Sequence, residues 1–160
     1  MAKCPELIVV GGGLAGLLLA AHAGERFRDL LNITVIERTL PKAPEDSLDT
    51  RATALSRGSK ELLESWGFWA ELSAAAKAIK NIHVSRKSRF GSALLQDDAT
   101  QNKPMGWVVE NALLQAALLT RCEATGVDVI EGHEVVDFTT TSELPVLTLD
   151  DEREFVADLV

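Results

Sequence analysis

The chain has 160 residues, 46% of them hydrophobic and 25% charged, the balance of an ordinary globular domain long enough to bury a core. A formal net charge of −8 argues against nucleic acid or an anionic membrane surface as the main partner. Cys4 and Cys122 lie far apart and outside any metal-ligand spacing, so they fit inert thiols in a reducing cytoplasm better than a disulfide framework.

Residues 7–10, Leu-Ile-Val-Val, predict a short strand buried on both faces. Gly11, Gly13 and Gly16 follow in G-x-G-x-x-G spacing, and the apolar run 14–23 predicts a helix. Gly11 lets the chain turn sharply out of the strand, Gly13 lets backbone approach a pyrophosphate, and Gly16 lets helix and strand pack closely. The phosphates would sit at the helix N-terminus, against unpaired N–H groups and the positive dipole end. Lys3, the apolar stretch and Ala21-His22-Ala23 imitate a secretory signal, but three consecutive glycines suit a turn far better. A second strand over 32–36 closes with Glu37, 21 residues past Gly16, where a carboxylate would accept hydrogen bonds from an adenosine ribose. Strand, glycine turn, helix, strand and acid together predict a βαβ dinucleotide-binding unit.

Residues 38–49, with Pro41 and Pro44, form a polar connection long enough to wrap a ligand. Residues 49–55 lead into a helix over 56–66, with Leu55, Leu62, Leu63 and Trp66 at helical spacing and Gly67 at its end. A short second helix is predicted over 69–79, and Trp66 and Trp69 are read as core. Residues 82–85 and 90–95 predict two antiparallel strands joined by a solvated basic turn, Arg86-Lys-Ser-Arg89, and 96–104 is a loop. A strand over 107–109 and a strong helix over 110–125, capped by Gly126, precede a third parallel strand over 127–130. Strands over 133–138, 145–149 and 154–160, with a polar turn at Asp150-Asp-Glu-Arg153, predict a β-meander appended to the α/β core. The closing apolar run 155–160 has no cap or polar tail and suggests a truncated polypeptide. His22, His83 and His133 stand isolated and are read as structural. No nucleophile, acid–base pair or metal-ligand set stands out, so no catalytic residue and no metal site is assigned.

These residues resemble the first third of an FAD-dependent aromatic hydroxylase of the ubiquinone-biosynthesis group (2-octaprenyl-6-methoxyphenol hydroxylase-like), related more distantly to the para-hydroxybenzoate hydroxylase class. The resemblance covers essentially the whole chain. It rests on residues 8–16; on Val35-Ile-Glu37-Arg38; on Asp49-Thr-Arg51-Ala-Thr-Ala-Leu55 with Ser59, Leu63, Gly67 and Trp69; and on Gly106-Trp-Val-Val-Glu-Asn111 before 113–118. It implies a Rossmann-like FAD-binding α/β fold, a parallel sheet with a β-meander, incomplete at the C-terminus. Residues 1–160 would be the N-terminal part of an FAD-binding domain.

By the same resemblance, Gly11, Gly13 and Gly16, with the amides of Leu14 and Ala15, hold the FAD pyrophosphate. Glu37 binds the adenosine ribose and Arg38 lies against the adenosine end. Arg51 meets the cofactor near its phosphates and flavin, with a surface salt bridge to Asp49 as the alternative. Gln115 stands near the pyrophosphate and Val135 offers backbone to the adenine edge, with plain helix surface and strand core as the alternatives. The family's Asp-Gly and Gly-Asp flavin motifs and its substrate domain are absent, so the isolated chain is expected to be inactive and to bind FAD weakly or not at all.

For the complete enzyme, the resemblance implies that NAD(P)H reduces FAD and that O₂ supplies the oxygen passed to an electron-rich, prenylated phenol. A cytoplasmic protein, free or peripheral at the inner face of a membrane or in a biosynthetic complex, and a homo-oligomer, are compatible with it. Two other classes fit the residues. One is another FAD- or NAD(P)-dependent oxidoreductase, which would leave the 49–55 signature unexplained; the other is a non-catalytic nucleotide-binding module.

Overall fold

The structure is a computed structural model that describes residues 4–40, 49–87, 90–96, 104–140 and 144–160. The chain opens with β1 (Glu6–Val10), α1 (Leu14–Phe27) and β2 (Asn32–Glu37). It continues through β3 (Ala52–Ser56), α2 (Arg57–Ser65), α3 (Trp69–Leu72), β4 (Lys77–Ile79), β5 (Asn81–Ser85), β6 (Ser92–Gln96) and β7 (Gly106–Glu110). It closes with α4 (Asn111–Thr125), β8 (Asp128–Glu131), β9 (Val135–Thr139), β10 (Val146–Leu149) and β11 (Glu154–Val156). Two units divide it: Met1–Ser47 with Gln115–Val160, and Leu48–Leu114.

In the first unit β1, β2 and β8 form a parallel sheet in that order. Leu7, Ile8 and Val9 of β1 and Ile33 to Ile36 of β2 are buried, as continuous apolar runs in a parallel sheet require. Helix α1 presents Leu17, Ala20, Ala21 and Gly24 at i, i+3, i+4 and i+7, a buried stripe of mostly small residues. A Cβ on Gly24 would lie 2.6 Å from Thr125 Oγ1, so α1 and the end of α4 approach closely there. Cys122 on α4 is fully buried with its thiol 3.6 Å from the carbonyl of Leu17. Burial, and secondarily the charge of Glu123, pushes that thiol up to about 11, the inert cysteine expected from the sequence. Gly126, at φ +78°, ends α4.

Strands β9, β10 and β11 form the expected antiparallel meander. Leu147, Leu149 and Ala157 join Ile8 and Ile36 in one core cluster, with Ile130, Val135 and Phe155 packed against it. His133 is not isolated: its Nδ1 lies 2.9 Å from Asp150 and 3.5 Å from Asp151, and Arg153 lies 2.6 Å from Asp151. The turn that carries these carboxylates brings them to His133 across the meander, a proximity no local spacing reveals. The Arg153 guanidinium also pairs with Asp151, so four side chains form one polar network at this hairpin.

The expected strand over 154–160 is shorter. Pairing with β10 stops at Val156, Ala157 N–H donates to Pro145 O, and the chain then turns onto β1. Leu159 forms a parallel bridge with Leu7, and Ile8 N–H donates to Leu159 O at 2.9 Å. The uniform hydrophobicity of 155–160 serves two different neighbours, which an apolar run cannot signal.

The second unit holds a three-stranded antiparallel sheet in the order β3-β7-β4. Residues 52–55, expected as a lead-in, and Ser56, expected to open the helix, form β3 because β7 offers them a partner strand. The predicted helix over 69–79 stops at Leu72. Lys77 to Ile79 instead pair with Val108 to Gly106, a tertiary pairing that overrides alanine's helical preference. Ser56 caps α2 by accepting from Ser59 N–H, and Gly67 ends that helical segment at φ +78°. Trp69 is buried as expected and meets the half-buried Trp107 edge to face at 5.6 Å, with the Lys60 ammonium 5.5 and 5.7 Å from the two rings, whereas Trp66 is only half-buried. Strands β5 and β6 pair as the expected hairpin, every residue of both exposed. Residues 41–48 of the 38–49 connection, expected to be long enough to wrap a ligand, lie outside the described residues, as do Ser88 and Arg89 of the basic turn and most of the 96–104 loop. Among the described residues no helix is long and apolar enough to cross a membrane.

Candidate nucleotide-binding site

Strand β1 ends at Val10, and Gly11 turns the chain with φ +106°, a conformation that favours glycine. Its N–H still donates to Ile36 O at 2.9 Å, so the turn begins while it is tied to β2. Gly13 is the extended N-cap of α1, and Leu17 N–H to Gly13 O, at 2.9 Å, is the first internal bond of the helix. The N–H groups of Leu14, Ala15 and Gly16 belong to the helix turn before that bond, which gives an anion its donors. No acidic residue stands in the first turn of α1. A Cβ on Gly13 would meet nothing within 4 Å, so backbone there faces open space. Gly16 is the opposite case: a Cβ would lie 2.0 Å from Gly11 O and 3.2 Å from Val9 Cγ1.

Glu37 ends β2 beside this turn. Its Oε2 accepts from Gly12 N–H at 2.6 Å and its Oε1 from Thr39 N–H at 2.9 Å. Its carbonyl accepts from Gly132 N–H, which ties the end of β8 to the same place. The glycine turn and the acid, far apart in sequence, are thus brought into contact. Gly12 belongs to that contact and was not singled out from the sequence; the uninterrupted run of three glycines was the signal for it.

Arg38 follows Glu37, exposed, 3.4 Å from Glu134. Val135, next to Glu134, is half-buried against the core cluster and pairs with Leu149. Gln115 lies half-buried on α4. Arg51 is in the other unit, where its guanidinium grips Asp49 through two bonds of 2.8 Å. Those bonds hold the Asp49 carboxyl down at about 2, against an ordinary 3.8. A depressed acid stabilises the fold above its unfolded value near 3.8, and the benefit disappears as pH falls through about 2. Arg51 is well exposed, so water and salt screen that benefit. A carbon-detected NMR titration of Asp49 is expected to give a midpoint near the lower value, returning to the ordinary one in Arg51→Gln. A midpoint near 3.8 in the unaltered chain would break the assignment.

What the first unit offers chemically is a helix N-terminus opened by glycines, with a carboxylate fixed beside it. That suits a ligand with a pyrophosphate next to a sugar diol. Residues 4–158 match the protein family described as FAD binding domain. The chain is 34% identical over 122 residues to the ubiquinone hydroxylase UbiL of Rhodospirillum rubrum, covering 74% of this chain and 27% of that protein. It is 34% identical over 157 residues to the FAD-dependent monooxygenase OpS4 of Beauveria bassiana, covering 92% and 34%. The fold is similar to that of 2-methyl-3-hydroxypyridine-5-carboxylic acid oxygenase, with a TM-score of 0.72 and 21% identity over 98% of this chain and 38% of that one. The chain spans 27% to 34% of the length of these two curated relatives.

Proposed function

We propose, since the chain belongs to the FAD binding domain family, that it supplies the ADP-binding part of an FAD-dependent monooxygenase that hydroxylates a prenylated phenol in ubiquinone biosynthesis. The observation that carries the nucleotide half is the fixed Glu37 carboxylate beside the glycine turn. The likeness to UbiL supports the substrate class, and the equal identity to OpS4 keeps a second oxidation substrate in contention.

Bound FAD would supply the redox and oxygen chemistry, and the residues here bind and orient its ADP portion. The amides of Leu14, Ala15 and Gly16 donate to the pyrophosphate, and Gly13 leaves room for it. Glu37 accepts from the ribose hydroxyls through lone pairs left over by its two backbone bonds. Arg38 lies against the adenosine, and Val135 and Gln115 add contacts from β9 and α4. Arg51 would have to exchange Asp49 for cofactor phosphate. The remaining flavin contacts, the substrate-binding elements and the site of NAD(P)H and O₂ chemistry belong, on this proposal, to sequence that the longer relatives possess. A prenyl tail on the substrate would draw the enzyme to the inner face of a membrane, as a peripheral protein.

The test is an FAD titration of the 160-residue chain, with NAD and Glu37→Ala alongside. Saturable FAD binding weaker than micromolar is expected, falling about tenfold or more in the variant. NAD bound as tightly as FAD would favour a nicotinamide enzyme, and binding indifferent to the variant would remove Glu37 from the site. No detectable FAD binding by a folded chain would leave two accounts, the lack of flavin contacts that the longer relatives supply or a non-catalytic module.

A further inference from the structure

We propose that Glu37 positions the glycine turn as well as meeting the ribose, and that Gly12 is glycine because it seats the Glu37 side chain. The meaning of this for FAD rests on the nucleotide-binding function proposed above; the contact itself does not.

Each oxygen of Glu37 is engaged by a different backbone amide, Gly12 N–H at 2.6 Å and Thr39 N–H at 2.9 Å. One carboxylate therefore clamps the turn after β1 to the residues leaving β2. Bonds from amides to a carboxylate are the strong kind, and the one from Gly12 is partly buried while the one from Thr39 is exposed. The fit is steric as well. A Cβ on Gly12 would stand 2.9 Å from Glu37 Cβ and 3.0 Å from its Cγ, whereas one on Gly11 or Gly13 would meet nothing within 4 Å. In the G-x-G-x-x-G spacing, Gly12 occupies a position open to any residue. Here it is the position at which an added methyl group would push the acid away. With the amide of Gly12 turned toward Glu37, the amides of Leu14 and Ala15 are aimed before any ligand arrives, which lowers the ordering cost of binding. Glu37 is thus a positioning residue for the donors at the head of α1.

Amide hydrogen exchange of the ligand-free chain, read by NMR, tests this without any cofactor. In Glu37→Ala, the amides of Gly12 and Thr39 are expected to exchange about tenfold faster or more. In Glu37→Gln only one of the two keeps its protection, because a carboxamide offers one oxygen acceptor. In Gly12→Ala, with the carboxylate intact, exchange at Thr39 rises. Amides of the β1–β2 pair report that the sheet still stands; if Gly12→Ala loses it, Glu37→Gln decides. Unchanged exchange at Gly12 and Thr39 in a folded Glu37→Ala chain overturns the proposal. FAD affinity, measured separately, separates the two ideas. A loss of affinity with unchanged exchange leaves Glu37 only its ribose role. Faster exchange in a chain that never binds FAD keeps the clamp and removes nucleotide binding from the isolated chain.

Discussion

Gly16→Ala is expected to abolish FAD binding and to destabilise the chain by about 3 kcal/mol or more, beyond the usual cost of one extra methyl group in a core. The added Cβ would come within 2.0 Å of Gly11 O and 3.2 Å of Val9 Cγ1. The first of these is main chain, which cannot rotate away as a side chain can. Either α1 lifts from β1 or the turn at Gly11 opens, and both outcomes move the amides of Leu14 and Ala15. Gly58→Ala is the control: its Cβ would meet only Ser56 Oγ, at 3.9 Å, and it lies in α2, where alanine is favoured over glycine by about 0.5–1 kcal/mol. Thermal unfolding of both variants separates the cases, one midpoint falling steeply and the other level or higher. A Gly16→Ala chain with an unaltered midpoint would mean that helix and strand have slack the geometry does not show.

Leu147→Ala should cost about 2–5 kcal/mol, the range for emptying a fully buried leucine site. Leu147 is central to β10, between Phe138 and Phe155, and shares its cluster with Ile8 and Ile36. Ile8 lies in the strand that leads to the glycine turn, and Ile36 immediately precedes Glu37. The cavity would thus loosen the supports of the nucleotide site, and FAD binding should weaken along with stability. Val156→Ala, on the same meander but half exposed, should stay within about 0.5 kcal/mol. Urea unfolding of the two variants measures the contrast, and equal losses would place the core elsewhere.

What the sequence made legible was whatever local chemistry imposes. The run 7–10, the turn at Gly11, the helix from Leu14 and the strand ending at Glu37 each carry their signal within a few residues, and all four occur. So do the antiparallel meander and the glycines that end α4 and the α2 segment. Elements decided by a distant partner were not legible. Residues 52–56 and 77–79 are strands because β7 lies between them, and alanine and threonine do not announce that. The same holds for the kink at Ala157 and for His133 meeting Asp150. Within the glycine turn, the sharp bend at Gly11 and the close packing at Gly16 were legible from spacing. The role of Gly12 was not, because its reason is the side chain of Glu37, 25 residues away.

The bridge between Leu7 and Leu159 has a consequence for where a ligand can go. It gives β1 a parallel neighbour on the edge away from β2, with Ile8 N–H and Glu6 O engaged there. The sheet therefore grows to both sides of β1, through β2 to β8 in one direction and through the residues around Leu159 in the other. Winding order reverses at this strand. In open α/β sheets ligands bind in the crevice outside the carboxyl ends of the strands at such a reversal. The glycine turn leaves β1 at that end, so, on the proposed function, strand order selects the address and the glycines, with Glu37, furnish it.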